Sequence, residues 1–367
     1  MPRRSKAMLA LCTTALVLAA GAPAAAGPSE PMLHMVELGT WGSGGYTLDV
    51  NVRGDVLGML HDAAGDSRPV LWRRHATPTD LTGARYGAHA LNNHGDVVGE
   101  DWLWSRGRVE DLTHPTRAVW AVDVNDRKQV AGDLDLTGDA PMTAFVWRNG
   151  RFTEIGAPAG MSSHAISINN RGDVLGYLVD QDWSVMHGFV WRDGVMEVLG
   201  TLGGDRVSPY AINDSGQVIG WSSLAGSDLL HPFLWQRGRM VDLMADRVEE
   251  SGIAYDINEA GDVVGTAGNR PVLWRDGETI DVGTPERFGG ARSINERGDI
   301  AGVTGFATSD EDRNSKVFRW RAGHVLFSAA MTGEAAASVS GVDEQGRVIG
   351  TMIEETGESH PVFWTGS

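Results

Sequence analysis

The chain has 367 residues, of which 42% are hydrophobic, and a formal net charge of −17 at pH 7. Nucleic acids and anionic membrane surfaces bind basic patches, so this charge argues against both as partners. The length exceeds what one hydrophobic core usually supports, which favours units that pack only on their neighbours.

Residues 1–26 have the features of a secretory signal peptide. Basic residues precede an apolar run from Ala7 to Ala20, and Ala24-Ala25-Ala26 fits a small-residue cleavage site. The run is too short to span a bilayer, so we expect a secreted, extracellular protein without membrane insertion; an uncleaved anchor is the alternative. The single cysteine, Cys12, lies in this segment, so residues 27–367 contain no disulfide.

One phrase recurs eight times and organises the rest of the chain. Its clearest copy is Asn213-Asp214-Ser215-Gly216-Gln217-Val218-Ile219-Gly220, and successive copies start 41, 33, 44, 44, 45, 37 and 48 residues apart. Equivalent copies begin at Asn51, Asn92, Asn125, Asn169, Asn258, Asn295 and Asp343. A period of this length indicates a repeat fold.

Each copy predicts a strand, a tight turn and a returning strand. An aliphatic residue precedes the Asn or Asp, whose side chain can bond a backbone amide further along a four-residue turn. Seven copies place Gly at the fourth turn position, and Lys128 in the third copy should be strained there. A Gly in the middle of the returning strand, such as Gly220, predicts that a ring packs against it; we expect the repeat tryptophan to do so.

Two further strands follow each turn unit. The third carries an apolar-x-Trp phrase, such as Phe145-Val146-Trp147, and it often ends in an Asn-Gly or Asp-Gly hairpin signal before a fourth strand. Four antiparallel strands per 42 residues predict an all-β, eight-bladed β-propeller in one domain, residues 27–367. The second repeat is short, which leaves a seven-bladed propeller as the alternative.

The two ends of the mature sequence complement one another. The eighth unit stops after Trp364 and lacks a fourth strand, whereas residues 32–39 resemble a fourth strand without a blade. We therefore predict that residues 32–39 complete the last blade, which leaves no open sheet edge.

Three phrases recurring at fixed phase carry a family resemblance. Val198-Leu199-Gly200-Thr201-Leu202-Gly203-Gly204 is followed by the Asn213 unit and then by His231-Pro232-Phe233-Leu234-Trp235. Over residues 32–367 the chain resembles the extracellular HAF-repeat family. No copy keeps a literal His-Ala-Phe, and the histidine position is held by His187, His231 and His360. The resemblance implies a secreted bacterial repeat protein and no settled enzymatic activity.

Candidate binding residues are those outside the repeat phase, because a single site needs unlike groups in one place. The connections between second and third strands and between fourth and first strands vary most, so we expect binding on that face or in the central channel. Exposed tryptophan faces suit sugar rings or protein hot spots. The ligand-binding candidates are Trp41, Trp120, Trp183 and Trp221. Extra packing beneath loops is the alternative role for these residues.

Two acidic segments are candidates for incidental calcium binding, and no other cofactor is expected. Asp310, Asp312 and Asn314 resemble the start of a calcium loop, but Ser315 and Arg321 replace the Gly and acid that an EF-hand needs. A second acidic segment contains Asp133, Asp135 and Asp139. Solvated acidic loops are the simpler interpretation of both.

Two functions remain open on the sequence alone. The favoured one is a monomeric, non-enzymatic binding or scaffold propeller that presents its variable loops to an extracellular protein or glycan. The alternative is a propeller hydrolase or lyase that acts on extracellular carbohydrate, whose carboxylates would come from different blades. Metalloprotease, nucleophile-elbow and phosphate-loop motifs and a cysteine nucleophile are all absent from the mature sequence. The catalytic residues of any such enzyme therefore stay unknown.

Overall fold

The computed structural model describes residues 32–41, 43–62, 64–74, 77–81, 87–135, 141–182, 186–284, 288–305, 315–331 and 335–366. The predicted signal peptide, Trp183, Asp139 and the segment with Asp310, Asp312 and Asn314 lie outside these ranges. Within them the chain forms thirty-two strands and no helix, and thus no helix that could cross a membrane.

The strands form four-stranded antiparallel groups, called blades and numbered in chain order. Blade 1 is β2 Ser43–Val50, β3 Val56–His61, β4 Ser67–Trp72 and β5 Thr79–Asp80. Blade 2 is β6 Ala88–Leu91, β7 Val97–Gly99, β8 Trp102–Ser105 and β9 Arg108–Asp111. Blade 3 is β10 Ala118–Val124, β11 Val130–Asp135, β12 Thr143–Arg148 and β13 Arg151–Ile155. Blade 4 is β14 Met161–Ile168, β15 Val174–Asp180, β16 Met186–Arg192 and β17 Val195–Val198.

The remaining four blades have the same strand order. Blade 5 is β18 Gly203–Ile212, β19 Val218–Leu224, β20 Leu230–Gln236 and β21 Arg239–Asp242. Blade 6 is β22 Gly252–Ile257, β23 Val263–Ala267, β24 Arg270–Arg275 and β25 Glu278–Asp281. Blade 7 is β26 Gly289–Ile294, β27 Ile300–Thr304, β28 Lys316–Arg321 and β29 His324–Phe327. Blade 8 is β30 Ala336–Val342, β31 Val348–Ile353, β32 Ser359–Gly366 and β1 Leu33–Glu37.

The eight blades correspond one to one with the eight repeats. Six of them are separate four-stranded sheets, and blades 4 and 5 join into one larger sheet through a single parallel pair, Met186 with Arg206. The short second repeat forms a sheet of its own. This confirms the all-β propeller class with eight blades.

The strand β1 completes blade 8, as the sequence predicts. It pairs antiparallel with β32, and Met35 lies opposite Trp364. The amide of Leu38 donates to the Pro361 carbonyl at 2.9 Å, which extends the pairing past the strand end. Leu33 and Leu38 are each 2% exposed, so the strand also contributes core side chains. Residues 32–39 therefore protect an edge that would otherwise present unpaired backbone groups.

The chain divides into two compact units. The first unit comprises Leu81–Val263 and Trp274–Thr279, and it contains blades 2 to 5. The second comprises the described residues of 32–80, 264–273 and 280–366, and it contains blades 1, 7 and 8. Residues of blade 6 are divided between the two units. In each unit the core lies between consecutive blades: Leu103 clusters with Phe145 in the first, and Val303 with Val348 in the second.

The ring that covers the mid-strand glycine differs from the predicted one in four blades. A Cβ on Gly58 or Gly350 would meet the repeat tryptophan, Trp72 or Trp364, at 2.7 or 2.9 Å. In blades 2, 3, 4 and 7 the ring is instead that of the residue two positions before the repeat tryptophan: Trp102 in blade 2 and a phenylalanine in the other three. A Cβ on Gly176, for example, would meet Phe189 at 2.4 Å. That phenylalanine is the cross-strand partner of the glycine, so it reaches the glycine first. The prediction that the repeat tryptophan always covers the glycine is therefore wrong for these blades.

The repeated asparagines cap their own turns and also connect consecutive blades. The side-chain oxygen of Asn169 accepts the amides of Arg171 and Asp173 at 3.0 and 2.9 Å. Its Nδ2 donates to the carbonyl of Asn213 in the next blade at 3.0 Å. The same inter-blade bond joins Asn125 to Asn169, and Asn295 to Asp343. The repeat spacing thus indicates the turn, while the inter-blade bond appears only in the folded chain.

The histidines at the repeated position differ in burial, and the most buried one is bonded within its own blade. His231 is fully buried, and its Nδ1 lies 2.9 Å from Asp242. His187 and His360 are half-buried on the equivalent strands of blades 4 and 8.

Candidate functional site: an aromatic row on the first unit

The structure separates the four candidate tryptophans. Trp120, on β10, is 49% exposed, and Trp221, on β19, is half-buried; both belong to the first unit. Trp41 is 39% exposed between β1 and β2 in the second unit. Trp183 lies outside the described residues. The exposure of Trp120 and Trp41 places them on the surface rather than beneath loops.

Trp120 and Trp221 occupy the same rung of their blades. The rung is the pair of facing residues on the first and second strands that lies next to the mid-strand glycine, on the side away from the asparagine turn. In blade 3 this rung pairs Trp120 with Asp133, and in blade 5 it pairs Ser208 with Trp221. In blade 4 the same rung pairs His164 with Tyr177. Three consecutive blades of the first unit therefore carry aromatic or imidazole side chains at one level.

A bulge beside this rung supplies further aromatic groups. In the first strands of seven blades the register shifts by one residue next to the glycine rung, which leaves an extra, half-buried residue three positions before the turn residue. That residue is His89 in blade 2 and Tyr210 in blade 5. Tyr255 holds the corresponding position of blade 6, and all three are half-buried. We call the combined set the aromatic row: His89, Trp120, His164, Tyr177, Tyr210, Trp221 and Tyr255.

Contacts between neighbouring blades hold the row in place. The rings of His89 and Trp120 lie 5.3 Å apart at 34°. Nδ1 of His89 is 2.5 Å from the Ala121 carbonyl, which fixes the imidazole beside the indole. Trp120 thus presents an exposed ring on a strand, with a neighbouring side chain limiting its rotation.

Asp133, His164 and Tyr177 form the polar part of the row. Asp133 of blade 3 accepts the Ala165 amide of blade 4 at 2.8 Å, and its second oxygen lies 3.0 Å from Nδ1 of His164. The His164 ring stacks on Tyr177 with centroids 4.9 Å apart. Burial raises the pKa of Tyr177, and the Asp133 charge raises it further, so the phenol stays protonated at neutral pH. The arrangement offers a neutral hydroxyl beside a clamped carboxylate.

Tyr210, Trp221 and Tyr255 form the other end of the row. The indole N–H of Trp221 donates to the Tyr210 hydroxyl at 2.9 Å, which orients both rings. The Tyr210 and Tyr255 rings are nearly parallel, at 10°, with centroids 6.4 Å apart. Aromatic bodies with polar tips of this kind are enriched in binding surfaces.

Sequence reasoning selected two residues of the row and missed five. The missed residues are His89, His164, Tyr177, Tyr210 and Tyr255. Three of them stand three positions before the turn asparagine, and His164 stands five before it, as Trp120 does. These positions vary in chemistry from repeat to repeat, whereas the residue directly before the turn asparagine is always aliphatic.

Metal binding finds no support in the described part of the chain. None of its residues form a group of three or more His, Cys, Asp or Glu side chains that could hold an ion. Asp310, Asp312, Asn314 and Asp139 fall outside this search, so calcium binding at either acidic segment stays a prediction. Asp133, from the second segment, is instead bonded to blade 4.

Comparisons with known proteins return similarities of fold only. No family model and no curated protein matches the chain. The β-propeller domain of the Trilobed protease from Pyrococcus furiosus is similar at 13% identity, with 77% of this chain and 97% of that chain covered and a TM-score of 0.49. The lectin SapL1, in complex with alpha methyl fucoside, is similar at 13% identity, with 80% and 97% covered and a TM-score of 0.33. The propeller assignment rests on the strand pairing described above, not on these similarities.

Proposed function

We propose that this protein is a secreted, non-enzymatic binding propeller whose aromatic row contacts a glycan. The observation that carries the proposal is Trp120, a tryptophan that is 49% exposed on a regular strand, with its ring beside His89. A large apolar ring held in water by the fold loses little conformational entropy on binding, because its position is already set. Ordered, exposed rings of this kind are frequent anchors of binding sites.

The polar neighbours of Trp120 favour a sugar over an apolar ligand. Sugar rings combine an apolar face with a rim of hydroxyl groups, so a site for them needs a flat ring together with hydrogen-bonding groups. On the equivalent rung of the next blade, the phenol of Tyr177 is half-buried and stays protonated, so it adds a polar group to the row. A protein ligand is the other outcome that the experiment below distinguishes.

Glycoside hydrolysis is less well supported than binding. Hydrolases of this kind use two carboxylates on either side of the glycosidic bond. Asp133, the carboxylate that contacts His164, already has both of its oxygens facing donors on blade 4. His164, the member of the row that contacts Asp133, is 4% exposed, so its imidazole is not presented to a ligand.

Membership of the HAF-repeat family and export through the predicted signal peptide belong to the same proposal. Secretion would place the aromatic row where extracellular glycans are available. The eight recurring phrases and the small-residue cleavage pattern at residues 24–26 support these two inferences.

A glycan array probed with residues 27–367 tests the proposal, followed by titration of the best ligand against three variants. Trp120→Ala is expected to weaken binding at least about tenfold, and Trp120→Phe to weaken it less, because a smaller ring face remains. Trp41→Ala is the matched control, since Trp41 is also exposed but lies outside the row.

Three results would contradict the proposal. Absence of any glycan ligand combined with capture of one extracellular protein would favour a protein partner. Release of shortened sugars would show an enzyme. Equal losses from Trp120→Ala and Trp41→Ala would show that the aromatic row is not the contact surface.

A further inference from the structure

A basic groove lies between blades 2 and 3, away from the aromatic row, beside the short turns. It has a volume of about 460 Å³, within the range of small-ligand sites. Its floor is formed by the paired strands β8 and β9 of blade 2, and its wall by the asparagine turn of blade 3. The lining residues are Leu103, Ser105, Arg106, Arg108, Glu110 and Lys128.

The groove exists because blade 2 departs from the repeat at one position. The residue after the repeat tryptophan is arginine in five blades, at Arg73, Arg148, Arg192, Arg275 and Arg321. In blade 4, Arg192 pairs at 2.8 Å with Asp173, the acid that follows the turn glycine. In blade 6, Arg275 and Asp262 make the same pair at 2.6 Å. Blade 2 has Ser105 instead, which shortens the side chain and leaves space.

Lys128 of blade 3 is a second difference from the repeat at the same place. It replaces the turn glycine of the other repeats and adopts a φ of +57°, the strained conformation expected from the sequence. Its ammonium lies 3.5 Å from Asp96, the acid that an arginine at 105 would pair with, and it bonds Ser105 at 2.5 Å. In blades 5 and 8 the turn glycine makes room for the arginine of the preceding blade: a Cβ on Gly216 would lie 2.9 Å from Arg192, and one on Gly346 would lie 2.6 Å from Arg321. The lysine thus satisfies the buried acid while the space stays open.

The charge of the groove is the opposite of that of the chain. In a protein of formal net charge −17, Arg106 and Arg108 are exposed and form no ion pair with any described residue. Three cationic side chains line the groove; Glu110 and the underlying Asp96 offset two of them, which leaves about one positive charge. A guanidinium fork binds a carboxylate through two parallel hydrogen bonds. A single residual charge suits a monoanion better than a phosphate.

We propose that this groove binds the carboxylate of a small acidic ligand or of an acidic group on a larger one. Arg108 and Arg106 would contact the carboxylate, and Ser105 and Leu103 would contact the body of the ligand. The proposal does not depend on the aromatic row, because it uses other residues and another part of the first unit.

Calorimetric titration of residues 27–367 tests the proposal with two carboxylates and their neutral counterparts. Glucuronate represents an acidic sugar and is compared with glucose; N-acetylglutamate methylamide represents an acidic peptide and is compared with N-acetylglutamine methylamide. We expect at least one carboxylate to bind, its neutral counterpart to bind at least tenfold more weakly, and the preferred carboxylate to identify the source. Arg108→Gln should weaken binding about tenfold or more. Arg151→Gln, the equivalent change in blade 3, where Arg148 follows the tryptophan, should have no effect.

A double variant separates loss of the site from loss of the fold. Ser105→Arg with Lys128→Gly restores the repeat consensus, so it is expected to keep the wild-type melting temperature or raise it and to abolish carboxylate binding. The proposal is overturned if this folded double variant binds as the wild type does, if neutral ligands bind equally well, if inorganic phosphate binds more tightly than both carboxylates, or if no ligand binds.

Discussion

In the first unit, the bulge position three residues before the turn asparagine carries a ring in three blades, at His89, Tyr210 and Tyr255, whereas in the second unit it carries Leu48, Arg292 and Ser340, none of which has a ring. The side chains on the neighbouring rung also differ from blade to blade. It pairs Trp120 with Asp133 in blade 3, but Ser338 with Thr351 in blade 8. The backbone is the same in both units, because both have the register shift and the asparagine bond to the next blade.

The second unit has one aromatic residue on this rung, Tyr46 of blade 1, which pairs with Met59 rather than with a polar or aromatic residue. Tyr46 and His61 lie 6.3 Å apart at 53°, and His61 is bonded to Ser67 at 2.9 Å. At the interface of blades 8 and 1, Thr351 bonds the Thr47 amide at 3.0 Å, as Asp133 bonds the Ala165 amide in the first unit. The comparison teaches that the scaffold positions are shared and that the unlike side chains on them distinguish the units.

The largest expected effect tests whether β1, which lies far in sequence from the rest of blade 8, stabilises that blade as much as β17 stabilises blade 4, where it directly follows the third strand. Leu38 follows β1 in the second unit and Leu199 follows β17 in the first; each is 2% exposed and bonds the third strand of its blade through its amide. Leu38→Ala and Leu199→Ala should each lower the free energy of unfolding by about 2–5 kcal/mol, measured by urea denaturation. A loss confined to Leu199→Ala would show that β1 is dispensable; Val195→Ala, at an exposed site, is the control.

The next effect tests whether the turn asparagines are equivalent in the two units. Asn169 and Asn295 are both fully buried, and each accepts two amides and donates to the next blade. Replacement by alanine leaves buried amides without partners, so Asn169→Ala and Asn295→Ala should each cost about 2–4 kcal/mol in the same denaturation experiment. Glu278→Ala, at an exposed position, should be neutral. Unequal losses of stability would show that the turn asparagines contribute differently in the two units.

Acid should lower the stability of both units, because each unit contains an aspartate at the same position after the turn glycine. Burial alone would raise the pKa of Asp173 and Asp299, but hydrogen bonds from an arginine and the turn asparagine outweigh it and lower the pKa of both. Because the folded pKa lies below the unfolded value of about 3.9, these carboxylates stabilise the fold above about pH 4, and that stabilisation is lost as pH falls through the folded pKa. Wild-type unfolding midpoints should therefore fall from pH 5 to pH 3 more steeply than those of Asp173→Asn or Asp299→Asn. Asp193→Asn is the control, and a slope unchanged in both variants would contradict the assignment.

The smallest expected effect compares the loss of a tyrosine hydroxyl in the aromatic row with the same loss in the second unit. Tyr210→Phe removes the hydroxyl that accepts the Trp221 indole N–H, so it should cost about 0.5–1.5 kcal/mol and shift the tryptophan fluorescence. Tyr46→Phe, at a site that is 37% exposed, should stay within about 0.5 kcal/mol of wild type. Equal effects would show that the Tyr210–Trp221 bond does not hold the row.

The sequence alone determined the strands, the turns and the completion of blade 8 by residues 32–39, because each depends on local chemistry repeated in phase. Asparagine and glycine at the fourth turn position specify the turn, and alternating apolar residues specify the strands beside it. The missing fourth strand after Trp364 could be counted directly. The candidate site was only partly accessible in this way, through Trp120 and Trp221.

Only the tertiary structure decided which groups meet across blades. Whether Phe189 or Trp191 covers Gly176 depends on cross-strand register, and whether Lys128 is a defect or a partner of Asp96 depends on a residue in another blade. The contact of His89 with Trp120 likewise joins residues that lie in different repeats. A repeat pattern states what each blade has in common with the others, whereas a binding surface is made by the positions at which neighbouring blades differ, and those become neighbours only after folding.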